Sequence, residues 1–175
     1  MTQSSLDTVG RFLAGTHSPD IEDVSVIDET VSETVVCHGF PGFPDGELSG
    51  REDYKTFFRV FRRSFTEMDF TTFETIVHDD FVSAHWRIRA TFSGEFAGFS
   101  PDGRRVVFDG VALYRLSEGL ICETWLSFNM PLLLAQLGPG ADRREGGGSR
   151  AAQQSGADRP IWTTSVRPDR KPASQ

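Results

Sequence analysis

FVSAHWRIRATFSGEFAGFSPDGRRVVFDGVALYRLSEGLICETWLSFN, residues 81–129, contains three runs rich in Val, Ile, Phe, Trp and Thr, broken at SPDG and at SEG. Each break carries the glycine that a hairpin turn uses for positive φ, so the stretch predicts an antiparallel meander. In the first run Val82, Ala84, Trp86, Ile88, Ala90 and Phe92 alternate with Ser83, His85, Arg87, Arg89, Thr91 and Ser93. One face of that strand is therefore apolar and the other polar, and the polar array of His85, Arg87 and Arg89 reads as solvated or facing another subunit. The apolar face needs a cover, and residues 50–66 supply one. Tyr54, Phe57, Phe58, Phe61 and Phe65 fall at i, i+3, i+4, i+7 and i+11 and form a single helical stripe. Ser49, followed three residues later by Glu52, predicts a capping box at its start.

The flanks extend this α+β pattern. Leu6, Val9, Phe12 and Leu13 have helical spacing, and Ser18-Pro19 predicts the opening of a short second helix running to about Ser25. A strand follows from Val31 to Cys37, then the turn-rich CHGFPGFPDGELSG, whose Phe40 and Phe43 are candidates for a lid. Asp69 to Val77 is expected to pair, across His78, Asp79 and Asp80, with the strand that begins at Phe81. After Asn129, MPLLLAQLG predicts a short helix with Pro131 in its first turn. Residues 1–138 thus read as one domain. Residues 139–175 are rich in Gly, Pro, Ser, Ala and Arg, which predicts disorder apart from an apolar patch at Ile161, Trp162 and Val166.

Composition narrows the function. The chain has 175 residues, 38% hydrophobic, with 15 Phe, enough for a sizeable core, and no apolar stretch long enough to cross a membrane. MTQSSLDTVGRFLAG lacks the basic start and apolar run of a secretory signal, so a cytoplasmic location is expected. From Gly138 onward the net charge is +3 and over residues 1–137 it is −10, an acidic body that does not suit nucleic acid. Cys37 and Cys122 have neither metal-ligand nor disulfide-framework spacing and read as free thiols. Gly94, Gly98 and Gly103 precede no helix and form no phosphate cradle, so neither nucleotide nor metal is expected.

YKTFFRVFRRSF, GEFAGFSPDGRRVVFDGVALYRL, GLICETW and LLLAQLG, in that order, resemble the SnoaL-like polyketide cyclases of the NTF2-like superfamily over roughly Leu6 to Gly138. The resemblance implies a curved sheet wrapped by helices into a cone with an apolar pocket. It also implies assembly as a dimer or higher oligomer and ring closure on polyketides with no cofactor, with relatives that hydroxylate, isomerise or dehydrate. Cyclases of that family place an Asp four residues after the Trp of the last strand, where it serves as acid and base in aldol closure. Here the residue four after Trp125 is Asn129, a carboxamide that cannot take a proton from carbon. The family's frequent THSG phrase is TFSG here, with Phe92 in place of the His.

Asn129 is equally well suited to capping the helix that follows, with or without a ligand contact. Other acid or base candidates are Asp109 and Glu123, which also read as surface ion-pair partners, and His38, which also reads as a loop imidazole bonded to backbone; Tyr114, with Asn129 or Trp125, is a candidate hydrogen-bond donor to a developing oxyanion. The register of the final hairpin decides among them. With Glu118 and Gly119 alone as the loop, Phe108, Gly110, Ala112 and Tyr114 share the face of Glu123, Trp125 and Asn129; a longer loop substitutes Asp109, Val111, Leu113 and Arg115. Trp86, Ile88, Phe92 and Trp125, with Phe57 and Phe61 from the helix, are the expected substrate wall. Three readings follow: a cyclase acting on an apolar natural-product intermediate by shape or a pericyclic route, a cofactor-free hydroxylase, isomerase or dehydratase needing a base, and a non-catalytic binder.

Overall fold

The computed structural model describes residues 2–138, and the expectations made for residues 139–175 lie outside the described residues. Elements follow in the order α1 (Thr2–Thr16), α2 (Val26–Thr30), β1 (Val31–His38), β2 (Glu47–Ser49), α3 (Arg51–Ser64), β3 (Phe65–His78), β4 (Phe81–Phe92), β5 (Arg105–Ser117), β6 (Leu120–Phe128) and α4 (Met130–Leu137). The six strands form one curved, unclosed sheet in the order β2-β1-β6-β5-β4-β3. Every neighbouring pair is antiparallel except β1 and β6, which run parallel. A parallel pair needs a long crossover. Here α3 and the meander supply it, so the sheet is mixed at this one seam.

The alternation in β4 sorts the two faces as the sequence predicts. Val82, Ala84, Trp86, Ile88, Ala90 and Phe92 are all buried, and their cross-strand partners Phe108, Gly110, Ala112 and Tyr114 lie on the same inner face. The aromatic stripe of α3 packs there. Phe65, just past the end of α3, sits within 5.0 to 5.8 Å of the rings of Phe61, Phe92, Phe96 and Phe108. Such ring pairs contribute about 0.5–1.5 kcal/mol each beyond area burial.

Two helix starts differ from expectation. The N-cap of α3 is Gly50, with no side-chain cap, because Ser49 is held in β2 opposite Val36. Glu52 turns instead to the Lys55 ammonium at 2.8 Å. Ser18-Pro19 opens no helix, and the first helical turn after it is α2. Three backbone carbonyls of residues 18–23 are turned onto Arg62, whose guanidinium donates to Ser18 O at 2.6 Å, Asp23 O at 2.8 Å and Asp20 O. Arg62 is only 1% exposed, and those carbonyls are its main partners, which leaves them unavailable for helix bonds.

The β5–β6 hairpin combines both registers considered above. Its turn has two residues, Glu118 (φ 52°) and Gly119 (φ 82°), both left-handed as a tight hairpin requires. A β-bulge then skips Cys122: Leu116 pairs with Ile121, but Arg115 pairs with Glu123. One extra residue reverses the facing of everything beyond it. Tyr114 therefore lies opposite Thr124, while Arg115, Leu113 and Asp109 share the outer face with Glu123 and Trp125.

Candidate active site

Between α1, α3, the loop after β1 and the inner face of the sheet lies a cavity of about 60 Å³. Its wall is mostly aromatic: Phe57, Phe58 and Phe61 from α3 and Trp86, Phe108 and Phe128 from the sheet, with Phe40, Phe70, Ile88 and Leu126 among the other apolar residues. A larger outer hollow of about 330 Å³ is edged by Phe43, Val60 and Phe96 and shares Pro41, Phe57 and Phe61 with the inner cavity. Those three residues form the partition between the two spaces. The Phe57 and Phe61 rings are stacked at 5.8 Å, and Phe40 meets Phe57 edge-on at 4.8 Å.

Gly39 sets the path of this loop. It has φ +80°, and a Cβ there would lie 2.1 Å from the Leu126 carbonyl oxygen. Only glycine permits both the left-handed turn and the approach to β6. The chain then reverses, and Phe40 enters the cavity wall.

Four polar side chains reach the cavity: Tyr54, Tyr114, Thr124 and His17. Tyr114, Thr124 and Cys37 are successive cross-strand neighbours on the inner face. The Thr124 hydroxyl is buried and has no hydrogen-bond partner among the described residues. It lies close enough to the Cys37 thiol and the Tyr54 hydroxyl to favour their ionised forms slightly, though outside ordinary hydrogen-bond geometry. Burial dominates both groups. It pushes the Cys37 thiol up to about 12 and holds Tyr54 and Tyr114 well above the usual phenol value. At neutral pH the cavity thus offers protonated hydroxyls. His17 is the opposite case: burial foremost lowers its pKa to about 4, so the imidazole is neutral.

The residues singled out from sequence divide between the two faces. Phe57, Phe61, Trp86, Ile88 and Tyr114 line the cavity. Phe92 is on the inner face but lies beyond the cavity, packed on Phe65 at 5.8 Å. Asp109, Glu123, His38, Trp125 and Asn129 are not in the cavity wall. On the outer face Asp109 pairs with Arg87 at 3.1 Å, and Glu123 bridges His38 Nε2 at 2.9 Å and Arg115 at 2.5 Å. Trp125 stacks on His38 at 5.3 Å. Asn129 Oδ1 accepts the Leu132 N–H at 3.1 Å and caps α4.

The bulge at Cys122 is what turns Glu123 and Trp125 outward. Sequence reasoning did not single out His17, Tyr54 or Thr124 for chemistry. For His17 a signal existed: it follows Leu13 by four residues and so extends the apolar stripe of α1. Among the described residues no group of three or more His, Cys, Asp or Glu could hold a metal ion, and no helix is long and apolar enough to cross a membrane.

Comparison with known proteins agrees with this architecture. No curated protein matches the chain. Among solved structures it is similar to a protein assigned as a SnoaL-like polyketide cyclase from Jannaschia sp. CCS1, with 19% identity and TM-score 0.69 over 78% of this chain and 92% of that one. AclR from Streptomyces galilaeus, assigned as a hydroxylase, superposes with TM-score 0.67 at 24% identity over 78% and 97% of the two chains. IdmH from Streptomyces antibioticus, assigned as a polyketide cyclase, does so with TM-score 0.63 at 26% identity over 76% and 97%. The family model described as SnoaL-like polyketide cyclase matches residues 11–137, the helices and sheet that enclose the cavity, and the chain belongs to that family.

Proposed function

We propose that this chain is a cofactor-independent cyclase that closes a ring on a largely apolar, polyketide-type intermediate by holding it in a reactive conformer. The observation that carries the reading is the inner cavity wall itself: aromatic surface with three hydroxyls, one neutral imidazole and no carboxylate, Glu95 belonging to the lining of the outer hollow. Aromatic walls fold a flexible chain and exclude water. Hydroxyls of Tyr54, Tyr114 and Thr124 donate to a carbonyl oxygen as negative charge grows on it. A pericyclic closure fits such a site, because σ bonds form at the expense of π bonds and no proton leaves carbon. Asn129, as the cap of α4, keeps its structural task without an acid-base role.

The inner cavity of about 60 Å³ is well below the roughly 300 Å³ from which ligand pockets run. Substrate therefore enters by displacing the Pro41, Phe57 and Phe61 partition, which joins the inner and outer spaces, and the loop bearing Phe40 and Phe43 acts as the lid. A second reading, proton-transfer chemistry such as isomerisation or dehydration, is favoured by one observation, the imidazole of His17 in the wall. The family's oligomeric habit and the exposed Phe73, Ile76, Val107 and Val111 support pairing with a second copy through the outer face of the sheet. A cytoplasmic location fits a biosynthetic enzyme of this kind.

The test is incubation of purified protein with a panel of linear and partly cyclised polyketide intermediates, read by mass spectrometry and NMR. The proposal expects an isomeric product of unchanged mass and a rate independent of pH between about 6 and 9, since the cavity groups do not titrate there. A product bearing an added oxygen, a product lacking water, or a rate that follows an ionisation in that range contradicts it.

A further inference from the structure

The cavity carries an acceptor as well as donors. His17 Nδ1 lies 2.9 Å from the Leu13 carbonyl oxygen. A carbonyl only accepts, so Nδ1 bears the proton, and Nε2 of the neutral ring presents a lone pair. The Thr16 hydroxyl, 3.1 Å from the same Nδ1, donates to the Phe12 carbonyl at 2.7 Å and leaves that assignment unchanged. The ring is held firmly: it stacks on Phe70 at 3.9 Å and 18°, and meets Phe58 edge-on at 5.9 Å. No described residue donates a hydrogen bond to Nε2. Closing the end of α1 accounts for Nδ1 alone. It leaves the other nitrogen, in a ring that lines the cavity, without a task.

We propose that His17 Nε2 accepts a hydrogen bond from an alcohol or enol O–H of the substrate, so that the site selects hydroxyl-bearing intermediates. The inference rests on the reading of the cavity as the substrate site and adds which functional group that site selects. The hydroxyls of Tyr54, Tyr114 and Thr124 serve the ligand's carbonyl oxygens, and His17 serves its donor. The two kinds of group orient the chain. Burial, with a smaller contribution from the Arg62 charge, keeps the ring neutral and hence an acceptor at physiological pH. When ligand fills the cavity and water leaves, a ligand without a donor strands this nitrogen, which costs roughly tenfold or more in affinity. His17 is thus a specificity-determining residue.

The test compares binding of 2-naphthol and naphthalene to the full chain by calorimetry. Wild type is expected to bind 2-naphthol at least about tenfold more tightly, and His17→Phe, with its fold checked by circular dichroism, to bind the two ligands with equal affinity. A second measurement needs no change at His17: in ¹⁵N-histidine-labelled protein, with signals assigned through substitutions at His38, His78 and His85, 2-naphthol shifts the His17 Nε2 resonance and naphthalene leaves it in place. Equal affinity of the two ligands for wild type, a preference that survives in folded His17→Phe, or an unmoved Nε2 resonance overturns the inference and leaves the cavity reading standing. Failure of wild type to bind either ligand overturns both.

Discussion

Replacing Arg62 with methionine removes the buried side chain that ties residues 18–23 to α3, leaving the surface pair of Arg63 with Glu22 at 2.9 Å. The guanidinium donates to the carbonyls of Ser18, Asp20 and Asp23 and to the Ser18 hydroxyl. Its burial lowers the pKa, and the charges of Asp20, Asp23 and Glu22 oppose that effect, so its desolvation is only partly offset and the substitution recovers some of it. Three carbonyls that must find water or a strained partner cost about 1 kcal/mol each, so with the recovered desolvation subtracted the net loss is at most about 3 kcal/mol. For a chain of this size a loss at that upper bound lowers Tm by about 6–12 °C. Urea unfolding of wild type, Arg62→Met and Arg62→Lys measures it, and Arg62→Lys is expected to lose most of the same stability because one ammonium cannot span three carbonyls. A loss below about 1 kcal/mol in Arg62→Met, or full stability in Arg62→Lys, refutes the clamp.

Acid stability tests the neutral His17. The unfolded chain takes up this proton below about pH 6.5 and the folded protein only below about 4, so the unfolded state binds more protons in that window and stability falls as pH falls through it. The gap corresponds to at most about 3 kcal/mol, and His17→Phe should flatten that limb of a urea-midpoint-against-pH plot; an unchanged limb contradicts the assignment. Gly39→Ala combines left-handed strain with a collision against the Leu126 carbonyl and should cost about 2–5 kcal/mol in chemical denaturation, whereas near-wild-type stability shows that the loop takes another path. Val111→Glu places a charge on the exposed outer face. Light scattering should report a dimer for wild type and a monomer for the variant, and a monomeric wild type removes the proposed interface.

Most of the fold is legible in the chain because its elements follow from strong local periodicity. The alternation in β4 and the Phe stripe of α3 need no tertiary information to read. The misses arise where tertiary partners override local signals. Ser49 is a good cap, but pairing with Val36 holds it in β2; Ser18-Pro19 is a good helix start, but the buried Arg62 takes the carbonyls that follow. The site was less legible for the same kind of reason. The turn at Glu118-Gly119 was readable, but the bulge at Cys122 carries no local signature, and it alone decides that Thr124 rather than Glu123 faces inward. Tyr54 was visible only as one position in an apolar stripe. The shared pocket of its hydroxyl with Tyr114 and Thr124 arises from a helix crossing two strands far away in sequence.

The sharpest measurement of the central claim sets the two faces of the sheet against each other: the ring-closing rate of the Tyr54→Phe, Tyr114→Phe double variant beside that of Asn129→Ala, on one substrate at a temperature where both remain folded. The account predicts that the double variant loses at least about tenfold with each hydroxyl removed. Asn129→Ala should keep its rate and lose only about 1 kcal/mol of stability as a helix cap. A double variant that closes rings at the wild-type rate while Asn129→Ala is inactive would contradict it and place the chemistry outside the aromatic cavity.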